Sequence, residues 1–201
     1  MKIFCILVVI LFLPAILAAQ IDYVSDSKVP GEVKGFIPSG TKVLALESAD
    51  LNGDGLQDYL IVLEKQKANE SDPDIDTNQR PLWILIRNKG GTLEVVKKNE
   101  KAVMCSTCGG VMGDPFQGVE VGLKTFTINH YGGSSDRWAL SYKFNYSRID
   151  NTWQLIRVEE STFSTHNPDK VKKKIYTPPR DYGKIDIADF DFENFLSGGI
   201  K

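Results

Sequence analysis

The chain has 201 residues, with 24 Lys and Arg against 26 Asp and Glu, a formal net charge of −2. A balance so close to neutral suggests neither nucleic acid nor an anionic membrane surface as a partner. The length suits one domain of ordinary size or two very small ones.

Residues 1–19, MKIFCILVVILFLPAILAA, place Lys2 before an apolar run from Ile3 to Leu13, then a break at Pro14 and small residues at Ala18 and Ala19. This is the layout of a secretory signal peptide. The apolar run falls short of the roughly 20 residues that span a bilayer. Cleavage after Ala19 leaves about 182 of the 201 residues, with no second stretch of membrane-spanning length. The expectation is an exported protein, periplasmic or secreted, without stable membrane insertion. Cleavage also removes Cys5, which lies too early to become a lipid-modified cysteine. Cys105 and Cys108 remain, an even pair that an oxidising compartment would join in a disulfide.

From Lys42 onward, short apolar or alternating runs are separated by Gly, Asp, Asn and Ser, which predicts strands and turns. The predicted strands cover 42–49, 59–65, 82–88, 93–98, 119–123, 125–130, 138–146 and 153–159. In the last two, Trp138, Leu140, Tyr142, Phe144 and Tyr146, then Trp153 and Leu155, alternate with small or polar residues, so one face packs and the other meets water. Turn chemistry stands between them at Asn88-Lys89-Gly90-Gly91, at Gly132-Gly133-Ser134-Ser135 and at Asp150-Asn151. Residues 67–80, KANESDPDIDTNQR, have almost no apolar side chains and predict an exposed loop. After Phe163 a basic run, Pro178-Pro179 and an acidic-aromatic end predict a tail or an appended strand with a short helical turn, whose Ile185, Ile187, Phe190, Phe192, Phe195 and Leu196 pack back on the sheet or on a partner. The fold class is therefore mainly β: antiparallel sheets of about eight strands, a sandwich or incomplete propeller-like blades. A β domain over 20–163 is followed by an irregular C-terminal extension over 164–201.

Between the first two strands stands Asp50-Leu51-Asn52-Gly53-Asp54-Gly55-Leu56-Gln57-Asp58. Positions one, three and five of a tight turn point side-chain oxygens inward, Gly55 permits the reversal, Leu56 offers a carbonyl and Asp58 a further carboxylate. An EF-hand needs a Glu at position twelve and flanking helices. Here position twelve is Ile61 and the flanks are strands, which excludes it. Three acids within nine residues repel one another unless a cation compensates them, and an all-oxygen set selects Ca²⁺ first.

The D-x-[DN]-x-DG-x-x-D pattern over 50–58 resembles the calcium loop of FG-GAP repeats, the blade units of integrin-type propellers. That resemblance covers 42–65 and reaches about residue 98 if two more strands complete a blade. It implies calcium ligation by Asp50, Asn52, Asp54, the Leu56 carbonyl and Asp58. No second such loop occurs, and a closed propeller of about four to eight blades exceeds this length. The metal's expected role is structural.

The second dense segment runs CSTCGGVMGDPF from Cys105, followed by His130-Tyr131-Gly132-Gly133-Ser134-Ser135. The order CxxCGG, GDPF, HYGGS is similar to that of small exported bacterial proteins of no assigned activity, which implies one shared surface. A redox Cys-x-x-Cys belongs at a helix start in a βαβ setting, which this pattern lacks. Zinc through Cys105, Cys108, His130 and His166 matches no usual spacing. His130 with Asp114 or Ser134 supplies the residue types of a hydrolase, but no GxSxG elbow is present. Trp138, Tyr142, Tyr146 and Trp153 read as core before they read as a ligand face. The function expected is an extracytoplasmic, non-enzymatic binding or interaction module braced by one calcium ion, its partner a protein or carbohydrate; the alternative is an exported hydrolase using His130.

Overall fold

The computed structural model describes residues 22–65 and 80–195. The leader-like segment 1–19, positions 67–79 of the polar stretch and Leu196 lie outside the described residues. Two antiparallel meanders make up the described structure. The first sheet joins β1 (Thr41–Ala49), β2 (Asp58–Lys65), β3 (Leu82–Arg87) and β4 (Leu93–Asn99), each hydrogen-bonded to the next. The second joins β5 (Phe116–Gly122), β6 (Thr125–Gly133), β7 (Asp136–Ser147), β8 (Thr152–Ser164) and β9 (Asn167–Tyr176) in the same way. Among the described residues no helix is long and apolar enough to cross a membrane.

Strand β2 explains the layering. Its sequence, DYLIVLEK, is apolar without alternation, and every residue but the last is buried. A strand places successive side chains on opposite faces, so a continuous apolar run needs cover on both. Leu60 and Val62 join Leu44, Leu82 and Ile84 in a core shared with Phe126, Ile128, Tyr142, Phe144 and Leu155 of the second sheet. Tyr59, Ile61 and Leu63 pack on the other side with Val43, Leu85 and Leu93, beneath Val29 and Val33 of the N-terminal segment. That segment contains one short helix, Gly31–Lys34, and is tied to β1 by the Val24 amide donating to the Val43 carbonyl at 2.9 Å.

The eight predicted strands are all present; most are extended by a residue or several, while β3 ends one residue early at Arg87 and β5 starts three residues early and ends one early at Gly122. The ninth, β9, takes up the appended-strand alternative for the segment after Phe163. Its NPDKVKKKIY is exposed along nearly its whole length, so neither face shows an apolar alternation. Its regularity comes from backbone pairing with β8, where Lys173 faces Ser161 and Ile175 faces Glu159. Lysines on an edge strand also oppose pairing with another chain.

Beyond the cis Pro178-Pro179 bond, the C-terminal segment runs beside the first half of β8. The Leu155 amide donates to the Ile185 carbonyl and the Ile187 amide to the Trp153 carbonyl, both at 2.9 Å. Asn99, at the end of β4, holds the same segment to the first sheet by donating Nδ2 to the carbonyls of Ile187 at 2.5 Å and Phe190 at 2.7 Å. Ile187, Phe190 and Phe195 thereby enter the inter-sheet core, with the Phe190 ring 4.9 Å from Tyr142 and 5.2 Å from Phe144. Truncating Phe190 would leave a hole bordered by both sheets. Phe190→Ala is expected to cost about 3–5 kcal/mol in denaturant unfolding, whereas a segment merely resting on the surface would cost under about 1 kcal/mol.

Candidate functional site: the aspartate loop and the buried ion pairs

The loop between β1 and β2 is organised by its own side chains. Asp50 Oδ1 accepts the amides of Gly53 at 2.6 Å and Asp54 at 3.1 Å, and its Oδ2 accepts the Gly55 amide at 2.9 Å. Asn52 Oδ1 accepts the Asp54 amide and its Nδ2 donates to Asp54 Oδ2, each at 2.9 Å. Asp54 Oδ1 takes the Leu56 amide at 2.8 Å. Gly53 and Gly55 have φ of +80° and +88°, conformations that a side chain resists.

Asp58 lies deepest. It is fully buried at the start of β2, and its oxygens accept the amides of Leu51 and Arg87 at 2.9 Å each. Burial pushes its carboxyl above the ordinary carboxylate range, and the charges of Asp54 and Asp50 push it the same way. The Asp50 and Asp54 charges thus add to the cost of ionising Asp58, a cost that a cation beside it would offset.

The same loop joins the two sheets. The Asp50 carbonyl accepts the Lys124 amide from the β5–β6 turn at 2.9 Å, and the Leu51 carbonyl accepts Trp153 Nε1 from β8 at 2.9 Å. Leu51 is fully buried in the inter-sheet core. The Lys124 side chain lies across Gly53 so closely that a Cβ there would fall 1.9 Å from Lys124 Cε.

The residues fit a hard cation in their chemistry. Asp50 Oδ2, both oxygens of Asp54 and both of Asp58 each accept one N–H in this network, which leaves lone pairs for a metal. Among the described residues no group of three or more His, Cys, Asp or Glu side chains is arranged to hold a metal by itself. Asp50, Asp54 and Asp58 of the predicted set are thus not gathered into such a group.

A second polar centre was not legible beforehand. Arg80, the last residue of the polar stretch predicted to be exposed, is 1% exposed. Its Nε and Nη2 donate to Glu64 Oε1 at 2.9 and 2.6 Å, its Nη1 donates to Asp114 Oδ1 at 2.6 Å, and Nη2 also bonds Asp114 Oδ2. Burial opposes the guanidinium charge, but the bonds to Asp114 and Glu64 outweigh it and hold its pKa above the ordinary value. The Tyr23 hydroxyl donates to the other Glu64 oxygen.

The His130 neighbourhood closes on this centre. His130 is 2% exposed, and its Nε2 accepts the Met104 amide at 3.2 Å. Burial, helped by the Arg80 charge, lowers its pKa from 6.5 to about 3. Asp114 is committed to Arg80 and, through Oδ1, to the Phe116 amide at 3.0 Å. Ser134 is exposed in the β6–β7 turn, where its amide donates to the Asp136 carbonyl at 3.0 Å. The described structure contains no hydrogen bond from His130 to either Asp114 or Ser134, so the three do not form a proton relay.

Cys105 and Cys108 lie at disulfide-bonding distance, with Cα atoms 5.2 Å apart, in a turn closed by the Cys108 amide on the Cys105 carbonyl. The Gly-rich segments meet, because the Gly133 amide donates to the Gly109 carbonyl and the Tyr131 amide to the Pro115 carbonyl. Tyr142 and Trp153 are buried in the core, and Trp138 and Tyr146 are partly buried against it. Comparison of the chain with protein-family models, with curated proteins and with solved structures finds no match.

Two outcomes test this geometry. A neutral His130 stabilises the fold above its ordinary pKa of 6.5, and that contribution is lost as pH falls from there toward 3. His130→Gln should therefore show a shallower loss of stability on acidification than the wild type. Gly53→Ala should destabilise by about 1–2 kcal/mol in urea unfolding; adding Lys124→Ala should recover the part due to the clash but not the part due to φ.

Proposed function

We propose that the chain is an extracytoplasmic, non-enzymatic binding or interaction module whose two sheets are braced by one calcium ion at the 50–58 loop. The observation that carries this reading is the burial of Asp58 beside Asp50 and Asp54 in a loop whose main chain also holds the second sheet. Calcium at Asp50, Asn52, Asp54, the Leu56 carbonyl and Asp58 would neutralise three neighbouring carboxylates and stiffen a connection on which both sheets rely. The likeness of the nine-residue pattern to FG-GAP loops supports the same choice of metal. Export is supported by the leader-like residues 1–19 and by the Cys105–Cys108 pair, which suits an oxidising compartment. A protein or a carbohydrate in that compartment is the partner class.

A ligand bound only by the folded state at about 100 times its Kd adds about 2.7 kcal/mol, or about 5–10 °C in Tm for a chain of this size. Chelator should lower the Tm of the calcium-loaded protein by that amount. Asp54→Ala, at an exposed loop position, should remove the sensitivity while leaving the protein folded. Equal Tm values with calcium and with chelator would refute the calcium brace.

A further inference from the structure

Beside the loop, a cleft of about 380 Å³ opens between the end of the first sheet and the β7–β8 hairpin of the second. Its walls are Ile86, Val96 and Lys97 on one side and Tyr146 and Asn151 on the other, with Asn52 of the aspartate loop at its margin. Trp153 forms part of the lining, its ring 5.0 Å from that of Tyr146 and its Nε1 already bonded to the Leu51 carbonyl. Volume and mixed lining are those of small-ligand clefts.

Three local irregularities meet here. In the β3–β4 pairing Ile84 faces Lys97 while Leu85 faces Val95, so Val96 is an extra residue and stands 44% exposed. Bulges of this kind re-aim side chains and cluster near binding sites. Asn151 has φ +53°, a conformation that non-glycine residues seldom keep without cause. Its Oδ1 accepts the Tyr146 hydroxyl at 2.5 Å, which fixes the tyrosine ring and leaves the Asn151 amide N–H groups free of that bond. The third irregularity is the aspartate loop itself, contributing an amide side chain.

The chemistry of the walls selects the ligand. The cationic group, Lys97, is matched by Asp186 at 3.3 Å, so the cleft presents no net charge to attract an anion or a cation. What remains is one aromatic ring of fixed orientation, two aliphatic side chains and the amide N–H groups of Asn151. A pyranose has the complementary surface: an apolar C–H face for the ring and equatorial hydroxyls that accept from amide N–H groups.

We propose that this cleft binds a neutral oligosaccharide, stacked on Tyr146 and hydrogen-bonded by Asn151. The assignment rests on the reading of the chain as a binding module and names its ligand class. It does not require that the loop hold calcium.

Isothermal titration of the protein with maltotriose, cellotriose and chitotriose, in calcium and again in chelator, tests it. At least one trisaccharide should bind, with Kd on the order of 1 mM or tighter. Tyr146→Ala should weaken that binding about tenfold, and Tyr146→Phe, which keeps the ring, should weaken it less. Asn151→Gly accepts the positive φ without strain and should also weaken it, which keeps the test intact if Tyr146→Ala fails to fold. Absence of binding by all three sugars, or affinity unchanged in a folded Asn151→Gly and Tyr146→Phe pair, would overturn the proposal. Binding that persists where calcium leaves the Tm unchanged would sink the calcium brace and keep the cleft. Calcium stabilisation without any sugar binding would do the reverse.

Discussion

A strand that is apolar on both faces cannot rest against water on either, and β2 imposes that constraint on everything around it. Leu60 and Val62 require the second sheet, while Tyr59, Ile61 and Leu63 require the N-terminal segment. The cost of leaving one such face uncovered follows from area. At about 25 cal/mol per Å² of apolar surface, each large aliphatic side chain returned to water forfeits about 1.5–3 kcal/mol. Three such residues outweigh a substantial share of the 5–15 kcal/mol by which domains are ordinarily stable. The segments at the two ends of the described chain, 22–40 and 181–195, are thus parts of the packing.

Apolar contact holds the sheets together without setting their alignment, and directional bonds supply it. The Asp50 and Leu51 carbonyls reach Lys124 and Trp153, Asn99 spans to Ile187 and Phe190, and Arg80 ties Glu64 of β2 to Asp114 before β5. The buried Arg80 triad is stable only as a set. Removing one partner of such an ion pair commonly costs about 3–5 kcal/mol, because the other charge stays buried without compensation. His130 stays neutral beside this charge, and its imidazole serves as the acceptor that the Met104 amide needs. Asp114 and His130, residue types of a catalytic set, are engaged here by Arg80 and by the Met104 amide.

Much of the fold was legible because strands with one buried face alternate. β6, with every second residue from Phe126 buried, and β7, with Leu140, Tyr142 and Phe144 buried, are written in period two. The run of β2 was legible as a strand, but its cover on both faces came only with the structure. β9 was legible only as an alternative to a tail, since a strand exposed on both faces carries no hydrophobic period and its lysines suit either. Arg80 was illegible for the opposite reason: a polar residue beside a polar stretch gives no sign that Glu64 and Asp114, 16 and 34 positions away, will enclose it.

The sequence by itself determined the strand pattern, the turn-forming glycines and the nine-residue aspartate loop, because each depends on residues close in the chain and on periods of two. Tertiary structure alone decided that Asp58 is buried, that Trp153 and Lys124 bind the main chain of that loop, and that Val96, Tyr146 and Asn151 face one cleft. Those facts depend on how one sheet lies on the other. Burial and charge coupling are sums over neighbours that are distant in sequence, and no local pattern specifies which neighbours they will be.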